Sequence, residues 1–247
     1  MSMSQAHWRR NGRWFHGTLE ESISLDGNVI SLVGGGGKTT VMYHLAEYAQ
    51  RLGKRTGVIT TTKIFRPPVV CRTPEDCQVR WEAGQYAVCG QDAPDGKLRA
   101  PTAQMLDYLL CEAEVLLVEA DGAKGLPCKA PAEHEPVILP QTSVVLGVMG
   151  LDALGRSIEE NCFRPEQVSA LLQRDRSHLL TPEDMAKLLL SPQGTRKHVG
   201  GRNYHIILNK CDNETRLSAG KAVVQKLEQL GHVQTVLTCF QEKGHLV

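Results

Sequence analysis

Residues 29–40 read VISLVGGGGKTT, an apolar strand pattern followed by four glycines, a lysine and two threonines. Apolar side chains then recur at roughly i, i+3 and i+4 spacing up to residue 49, which predicts a helix. Glycines between a strand and a helix leave backbone amides open to phosphate at the positive end of the helix dipole. The stretch therefore predicts a nucleotide phosphate loop and the first strand-to-helix turn of an α/β domain.

The side chains of this loop have separate predicted roles. Lys38 would reach the outer phosphates, and the Thr39 hydroxyl suits Mg²⁺. The longer motif G-x-x-x-x-G-K-[ST] would need glycine where the chain has Leu32, so the match is to the shorter G-x-x-G-K-T form. The alternative is a glycine-rich turn that binds nothing. The predicted phosphate-loop residues are Gly34, Gly35, Gly36, Gly37, Lys38, Thr39 and Thr40.

The composition indicates one main globular domain. The chain has 247 residues, of which 41% are hydrophobic, and 28 Lys+Arg balance 27 Asp+Glu to a net charge of +1. This balance favours neither nucleic acid nor an anionic membrane as partner. No apolar stretch approaches the roughly 20 residues that span a bilayer, and no signal sequence is recognisable, so we expect a cytoplasmic protein. The eight cysteines show no C-x-x-C spacing and are expected to be buried or free thiols.

Apolar β-rich runs alternate with helical patterns, as in right-handed β-α-β units. The predicted strands are residues 29–33, 56–61, 86–89, 115–119, 143–149, 205–209 and 233–239. The predicted helices are residues 39–52, 102–113, 165–173, 182–190 and 214–230. The pattern predicts an α/β fold with a mostly parallel sheet flanked by helices, a P-loop NTPase-like three-layer domain. We expect residues 1–24 to form an N-terminal extension, residues 25–247 the nucleotide-binding domain, and residues 152–201 a small helical insertion within it.

Two acidic residues follow the apolar run of residues 115–118. Glu119 and Asp121 end this predicted strand, and Gly122 comes next. Ligands of open α/β sheets bind at the carboxyl ends of the strands, where a carboxylate can hold Mg²⁺ or orient an attacking water. We expect Glu119 and Asp121 to act as metal ligands and as catalytic groups together with Lys38. The alternative is that one of them caps the next segment or pairs with Lys124.

A guanine-reading motif ends another predicted strand. Residues 206–208 are apolar and lead into Asn209, Lys210 and Asp212, which spell N-K-x-D. An aspartate at this position accepts hydrogen bonds from the N1–H and N2–H groups of guanine, which adenine lacks, while Asn209 and Lys210 support the loop and the ring. The motif predicts GTP, with ATP as the alternative; the third reading is a polar turn.

Two further segments carry candidate groups. Residues 60–63 place three threonines and a lysine after the second strand of the domain, and we expect Thr62 and Lys63 to contact the γ-phosphate or a substrate. Residues 124–136 are rich in proline and charge and are expected to form an active-site loop. Within this loop His134 suggests a metal ligand, although a surface histidine is the alternative.

The motifs together resemble the YqeC family from about residue 28 to the last strand. They are residues 33–40, 60–63, 118–125, 129–136, 150–155 and 209–212. The resemblance implies an accessory protein for selenium-dependent molybdenum hydroxylases, with such a hydroxylase or a selenium or molybdopterin cofactor intermediate as possible partner.

More distantly, the same motifs resemble GTPase metallochaperones, and the short G-x-x-G-K-T loop resembles that of Mur-type ATP-dependent ligases. The chain departs from the metallochaperones by its threonines at residues 60–62 and by lacking a Cys-Pro-His metal motif. The hypothesis is a protein that binds GTP with Mg²⁺ and uses slow hydrolysis or nucleotide-gated switching. The alternatives are an ATP-dependent ligase or kinase acting on a small cofactor-related substrate, and a nucleotide-binding module without turnover.

Overall fold

The computed structural model describes residues 4–23, 25 and 29–240. The strands within these residues are β1 (Ser4–Arg10), β2 (Arg13–Gly17), β3 (Val29–Gly34), β4 (Thr56–Thr60), β5 (Lys63–Phe65), β6 (Ala87–Val88), β7 (Gln91–Asp92), β8 (Lys97–Arg99), β9 (Val115–Glu119), β10 (Cys128–Lys129), β11 (Val144–Gly150), β12 (Cys162–Phe163), β13 (Asn203–Asn209) and β14 (Thr235–Phe240). The α-helices are α1 (Leu19–Ser22), α2 (Lys38–Arg51), α3 (Pro74–Glu82), α4 (Ala103–Glu112), α5 (Ile158–Asn161), α6 (Pro165–Leu172), α7 (Pro182–Leu190) and α8 (Glu214–Gln229). No helix in these ranges is long and apolar enough to cross a lipid bilayer.

The main sheet has the strand order β2-β1-β14-β13-β11-β3-β9-β4-β6. Every neighbouring pair from β14 to β6 is parallel, whereas β1 and β2 are antiparallel to each other and β1 is antiparallel to β14. The predicted α/β class with a mostly parallel sheet is therefore confirmed. Because β3 lies between β11 and β9, the carboxyl ends of the strands that carry the sequence motifs meet at one edge.

Helices cover both faces of this sheet and make three layers. Successive strand residues point to opposite faces, so Val145 and Leu146 on β11 belong to different apolar clusters. The Leu146 cluster includes the apolar side of α2, and the Val145 cluster includes residues of α6, α7 and α8. A third cluster joins α4 to β9 and β4 through Leu109 and Leu116. The three-layer arrangement agrees with the prediction.

Each predicted helix and strand exists in the structure, with ends within two residues of the predicted ones. The sequence pattern missed several shorter elements: α1, α3, α5, the hairpin β1–β2, and two small sheets of β5, β8 and β7 and of β10 and β12. Most of the missed elements are short, and the hydrophobic pattern of such a short segment does not distinguish it from a loop.

The N-terminal hairpin extends the main sheet. Strand β1 runs along β14, with Ser4 opposite Phe240 and Trp8 opposite Val236. Arg9 forms an ion pair with Glu228 of α8. Residues 1–3 and residue 24 of the expected N-terminal extension, and residues 26–28, lie outside the described residues.

The expected helical insertion joins β11 to β13. It contains a 3-10 turn at Leu151–Ala153 and then α5, α6 and α7, so it is more helical than the two short helices that the sequence pattern predicts. Its strand β12 pairs in parallel with β10 of the segment 124–136, with Cys128 opposite Cys162. The insertion is thus joined to the segment that was expected to be an active-site loop.

The central strand β3 should be sensitive to loss of apolar volume. Leu32 has 0% of its surface exposed, and Leu52, just after α2, has 53% exposed. Leu32→Ala leaves a cavity and should lower the free energy of unfolding by about 2–5 kcal/mol, whereas the matched Leu52→Ala should change it by less than about 0.5 kcal/mol. Urea denaturation followed by circular dichroism measures both, and equal effects would contradict the central position of β3.

Candidate nucleotide-binding site

The turn between β3 and α2 ends in an open helix terminus. Gly37 precedes α2 with a φ of 112°, a left-handed conformation that favours glycine, and no side chain caps the helix. The first helical hydrogen bond runs from Val41 N–H to Gly37 O, at 3.0 Å. The amides of residues 37–40 precede that bond and therefore have no acceptor within the helix. They form the kind of positive end that binds anions.

The glycines before this terminus are held in shape by neighbouring backbone. Gly35 N–H donates to Val148 O at 2.9 Å, and Gly36 N–H donates to Leu126 O at 3.0 Å. A Cβ atom on Gly36 would lie 2.1 Å from the backbone nitrogen of Gly150. Only glycine fits this close approach, and the two backbone hydrogen bonds define the shape of the loop.

The Asp121 carboxylate lies buried beneath this loop. It accepts the Gly34 N–H at 3.1 and 3.0 Å, and it forms ion pairs with Lys38 Nζ at 3.2 Å and Lys129 Nζ at 3.1 Å. Lys38 Nζ also donates to Gly34 O at 2.6 Å. Asp121 is 2% exposed, so the two ammonium groups supply the stabilisation that water cannot. The Asp121 carboxylate, which is expected to bind a metal, is therefore already contacted by three donor groups.

A line of alternating charges continues from Asp121 towards the helical insertion. Lys129 Nζ contacts Gly122 O at 2.7 Å, Glu135 Oε2 at 2.7 Å and Asp121, so each of its three protons has an oxygen acceptor. Glu135 in turn accepts two bonds from Arg164, at 2.7 and 3.2 Å. Arg164 immediately precedes α6. The line therefore joins the phosphate loop, the strand β9, the segment 124–136 and the insertion.

Glu119 contacts the threonine that the motif assigns to Mg²⁺. Thr39 Oγ1 donates to Glu119 Oε2 at 2.7 Å. Glu119 is 6% exposed, and burial raises its pKa, although Lys38 and the Thr39 hydrogen bond act in the opposite direction. A hydroxyl and a carboxylate at this distance, beside the helix terminus, are oxygen ligands of the kind that Mg²⁺ takes. Glu119 and Thr39 are thus in direct contact.

The N-K-x-D segment also lies at this edge of the sheet. Asn209 Nδ2 donates to Gly36 O at 2.9 Å, and Asn209 Oδ1 accepts from Thr238 Oγ1 at 3.1 Å, so this side chain links the phosphate loop to β14. Lys210 has a φ of 65° and pairs with Asp152 at 2.6 Å.

The remaining aspartate of that motif lies at the surface. Asp212 is about half exposed and forms an ion pair with Arg216 of α8. A cavity of about 390 Å³ adjoins this segment and is bordered by Asp152, Asn213 and Arg216. A carboxylate with one exposed side and a neighbouring cavity could accept hydrogen bonds from a ligand.

The residues that follow β4 make contacts in two different parts of the structure. Thr60 Oγ1 donates to Glu119 O at 3.0 Å, and Thr62 N–H donates to Thr60 Oγ1 at 3.0 Å, which keeps Thr62 beside β9. Lys63 instead pairs with Asp95 at 3.2 Å, on the small sheet of β5, β7 and β8, and about half of its side chain is exposed. The structure thus brings Thr62 near the acidic strand end and gives Lys63 a different partner.

The segment 124–136 carries cations near the site and an exposed histidine. His134 is exposed, and it belongs to none of the groups of potential metal ligands found among the described residues. Lys124 Nζ, Lys129 Nζ and the Arg164 guanidinium lie 5.2, 5.8 and 4.3 Å from the centre of the Phe163 ring. The charges of this segment are visible in the sequence, but Arg164 could not be predicted as a site residue, because no motif connects it with the phosphate loop.

The Glu135 contacts should make folding stability depend on pH. Burial alone would raise the pKa of Glu135, but the hydrogen bonds from Arg164 and Lys129 lower it from 4.5 to about 2. Because the folded state binds this proton more weakly than the unfolded state, the stabilisation is present above about pH 4.5 and is lost as the pH falls towards 2. Glu135→Gln should therefore lower the free energy of unfolding by about 3 kcal/mol at pH 7, and by progressively less below pH 4.5.

Chemical denaturation at a series of pH values measures this difference. The matched control is Glu133→Gln, which changes an exposed carboxylate of the same segment. We expect that control to follow the wild type at every pH. A loss for E135Q that is the same at pH 2 and pH 7 would mean that the charge of Glu135 does not stabilise the fold.

Comparison with known proteins gives two agreeing results. The family model described as "YqeC protein" matches residues 30–166, which include the phosphate loop, the acidic strand end and the segment 124–136. The Escherichia coli (strain K12) protein named "Uncharacterized protein YqeC" is 36% identical over 215 residues, which cover 81% of this chain and 83% of that protein. On both results the chain belongs to the YqeC family.

Proposed function

We propose that this chain binds GTP with Mg²⁺ and serves, in the cytoplasm, as an accessory protein in the maturation of selenium-dependent molybdenum hydroxylases. The observation that carries the nucleotide proposal is the contact between Thr39 and Glu119 beside an uncapped helix terminus. The hydroxylase role comes from the family resemblance noted in the sequence. Hydrolysis is slow or replaced by nucleotide-gated switching in this proposal.

The phosphates are proposed to bind at the start of α2. The free amides of residues 37–40 and the dipole of a 14-residue helix favour a polyanion there. Lys38 Nζ is already at this place, between Gly34 O and Asp121. Its ammonium would turn towards the outer phosphates, while Lys129 keeps the Asp121 carboxylate neutralised. Thr62 contacts the γ-phosphate or a substrate in this arrangement; Lys63 would first have to leave Asp95.

The metal ion is proposed to bind between Thr39 and Glu119. Both groups carry oxygen atoms that can bind a metal, and their separation of 2.7 Å supports the proposal that one small cation contacts both after a slight opening. Mg²⁺ would favour the ionised form of Glu119, whose pKa burial raises. Asp121 is assigned to the support of Lys38 and the loop, because its oxygens already face Gly34 N–H and two lysines. When bound, the metal would neutralise phosphate charge.

The base is proposed to bind at the N-K-x-D segment. Asn209 sets the distance between this segment and the phosphate loop through its bond to Gly36. Asp212 would accept guanine N1–H and N2–H, for which its contact with Arg216 has to loosen. The Lys210 stem supports the loop, as its pairing with Asp152 keeps it in place.

The Thr39 hydroxyl should matter only when Mg²⁺ is present. Thr39→Val removes a metal ligand while keeping the shape of the side chain, so GTP affinity in Mg²⁺ should fall about tenfold, and affinity in EDTA should stay unchanged. Isothermal titration calorimetry measures both. Thr39→Ser is the matched control, because it restores the hydroxyl and should restore the Mg²⁺ effect. An equal loss in EDTA for T39V would assign the residue to packing instead of metal binding.

Asp212 should decide the choice of base. The wild type should bind GTP more tightly than ATP or CTP by a factor of up to about 10⁴, because adenine would leave the carboxylate unpaired. Asp212→Ala should remove most of that preference, and Asp107→Ala, which changes an exposed aspartate on α4, should retain it. Calorimetric titration of the three proteins with GTP, ATP and CTP analogues tests this. Equal binding of ATP and GTP by the wild type would make the N-K-x-D match a coincidence.

An ATP-dependent ligase or kinase is the second candidate, and the cations around Phe163 favour it. Lys124 and Arg164 lie beside Lys129, which contacts Asp121 under the phosphate loop, so a small anionic acceptor could bind next to the outer phosphate. A phosphate-release assay separates the readings. Release with GTP alone supports slow hydrolysis, no release supports a binding module, and release only with an added cofactor-related acceptor supports the ligase or kinase.

A further inference from the structure

Three buried cysteines form a cluster away from the phosphate loop. The sulfur atoms of Cys71, Cys77 and Cys89 all lie within 4.8 Å of one another, and Cys77 Sγ is 3.5 Å from Cys89 Sγ. The three residues are 2%, 0% and 0% exposed. Within the described residues this is the one group of three or more potential metal ligands at such distances. Five and eleven residues separate these cysteines in the chain, so no sequence motif shows the group.

Backbone contacts position the three cysteines, of which Cys77 lies in a helix and the other two form an isolated β-bridge. Cys71 N–H donates to Val88 O at 2.8 Å, and Cys71 pairs across a parallel bridge with Cys89, which follows β6. Cys89 N–H donates to Val58 O of β4 at 2.9 Å. Cys77 lies in α3, whose first turn is closed by a capping box at Thr73. The cluster is therefore built by the fold and needs no rearrangement of the chain to exist.

The cluster offers three sulfur donors that face one another at close range. The thiolate is the form of cysteine that binds metals. The three cysteines are buried in an apolar cluster that also includes Ile59, Met105 and Leu109, so a bound cation would be shielded from water.

We propose that Cys71, Cys77 and Cys89 form a site for one Cu(I) ion. A metal–sulfur distance of about 2.3 Å in a trigonal plane needs sulfurs about 4 Å apart, which lies within the spread that this cluster shows. Thiolates select soft ions such as Cu(I) and Zn²⁺, but structural zinc takes four ligands, and no fourth ligand joins this group among the described residues. Coordination by all three sulfurs as thiolates would form three metal–sulfur bonds and release the three thiol protons to solvent.

The test uses the full-length protein, reduced and kept under anaerobic conditions. We expect native mass spectrometry to show one Cu(I) per chain, retained against bicinchoninate. N-ethylmaleimide labelling in mild denaturant, mapped by peptide mass spectrometry, should show Cu(I)-dependent protection of the three cluster cysteines and unchanged labelling of the exposed Cys111. This mapping requires no variant. Loss of copper to bicinchoninate, or protection that does not depend on Cu(I), would overturn the proposal.

Two substitutions and a comparison with Zn²⁺ test the proposal further. Cys77→Ala should weaken Cu(I) affinity at least about tenfold, while the matched Cys111→Ala should leave the stoichiometry and affinity unchanged. If C77A does not fold, the protection mapping of the wild type decides. Tighter retention of Zn²⁺ than of Cu(I), or a Cys77–Cys89 disulfide as the only product of the copper treatment, would also contradict a Cu(I) site.

Discussion

The buried contact of Asp121 with Lys38 and Lys129 is the interaction on which the arrangement of the site depends. It joins the end of β9 to the phosphate loop on one side and to the segment 124–136 on the other. Charges removed from water are costly unless each finds partners, and here the carboxylate and both ammonium groups do. The loop, the acidic strand end and the insertion therefore depend on one another for their positions.

The regular part of the fold could be predicted from the sequence because its signals are local. An apolar run such as residues 115–118, or the i, i+3, i+4 pattern after Lys38, follows from burial on one strand or one helix face. The hairpin β1–β2 could not be found this way. Its place depends on pairing between Ser4 and Phe240, at opposite ends of the chain, and an edge strand that is half exposed has no distinctive pattern.

The candidate site was predictable where a motif keeps its groups together. Glycines, lysine and threonine at residues 34–40 come from one turn, and the parallel sheet brings Glu119 and Asn209 to the same edge. The contact between Glu135 and Arg164 could not be predicted, because these residues are 29 positions apart in the sequence and only tertiary folding brings them together. Lys63 was predicted because it follows Thr62 in the sequence, and the structure pairs it with Asp95 on a different sheet, a contact that no local pattern indicates.

The hydrogen bonds of Gly35 to Val148 and of Gly36 to Leu126 have a consequence for binding thermodynamics. Ordering a flexible backbone costs about 1–2 kcal/mol per residue in conformational entropy. These bonds fix the backbone of the loop, so an anion that bound there would avoid most of that cost, and more of the interaction energy would be expressed as affinity.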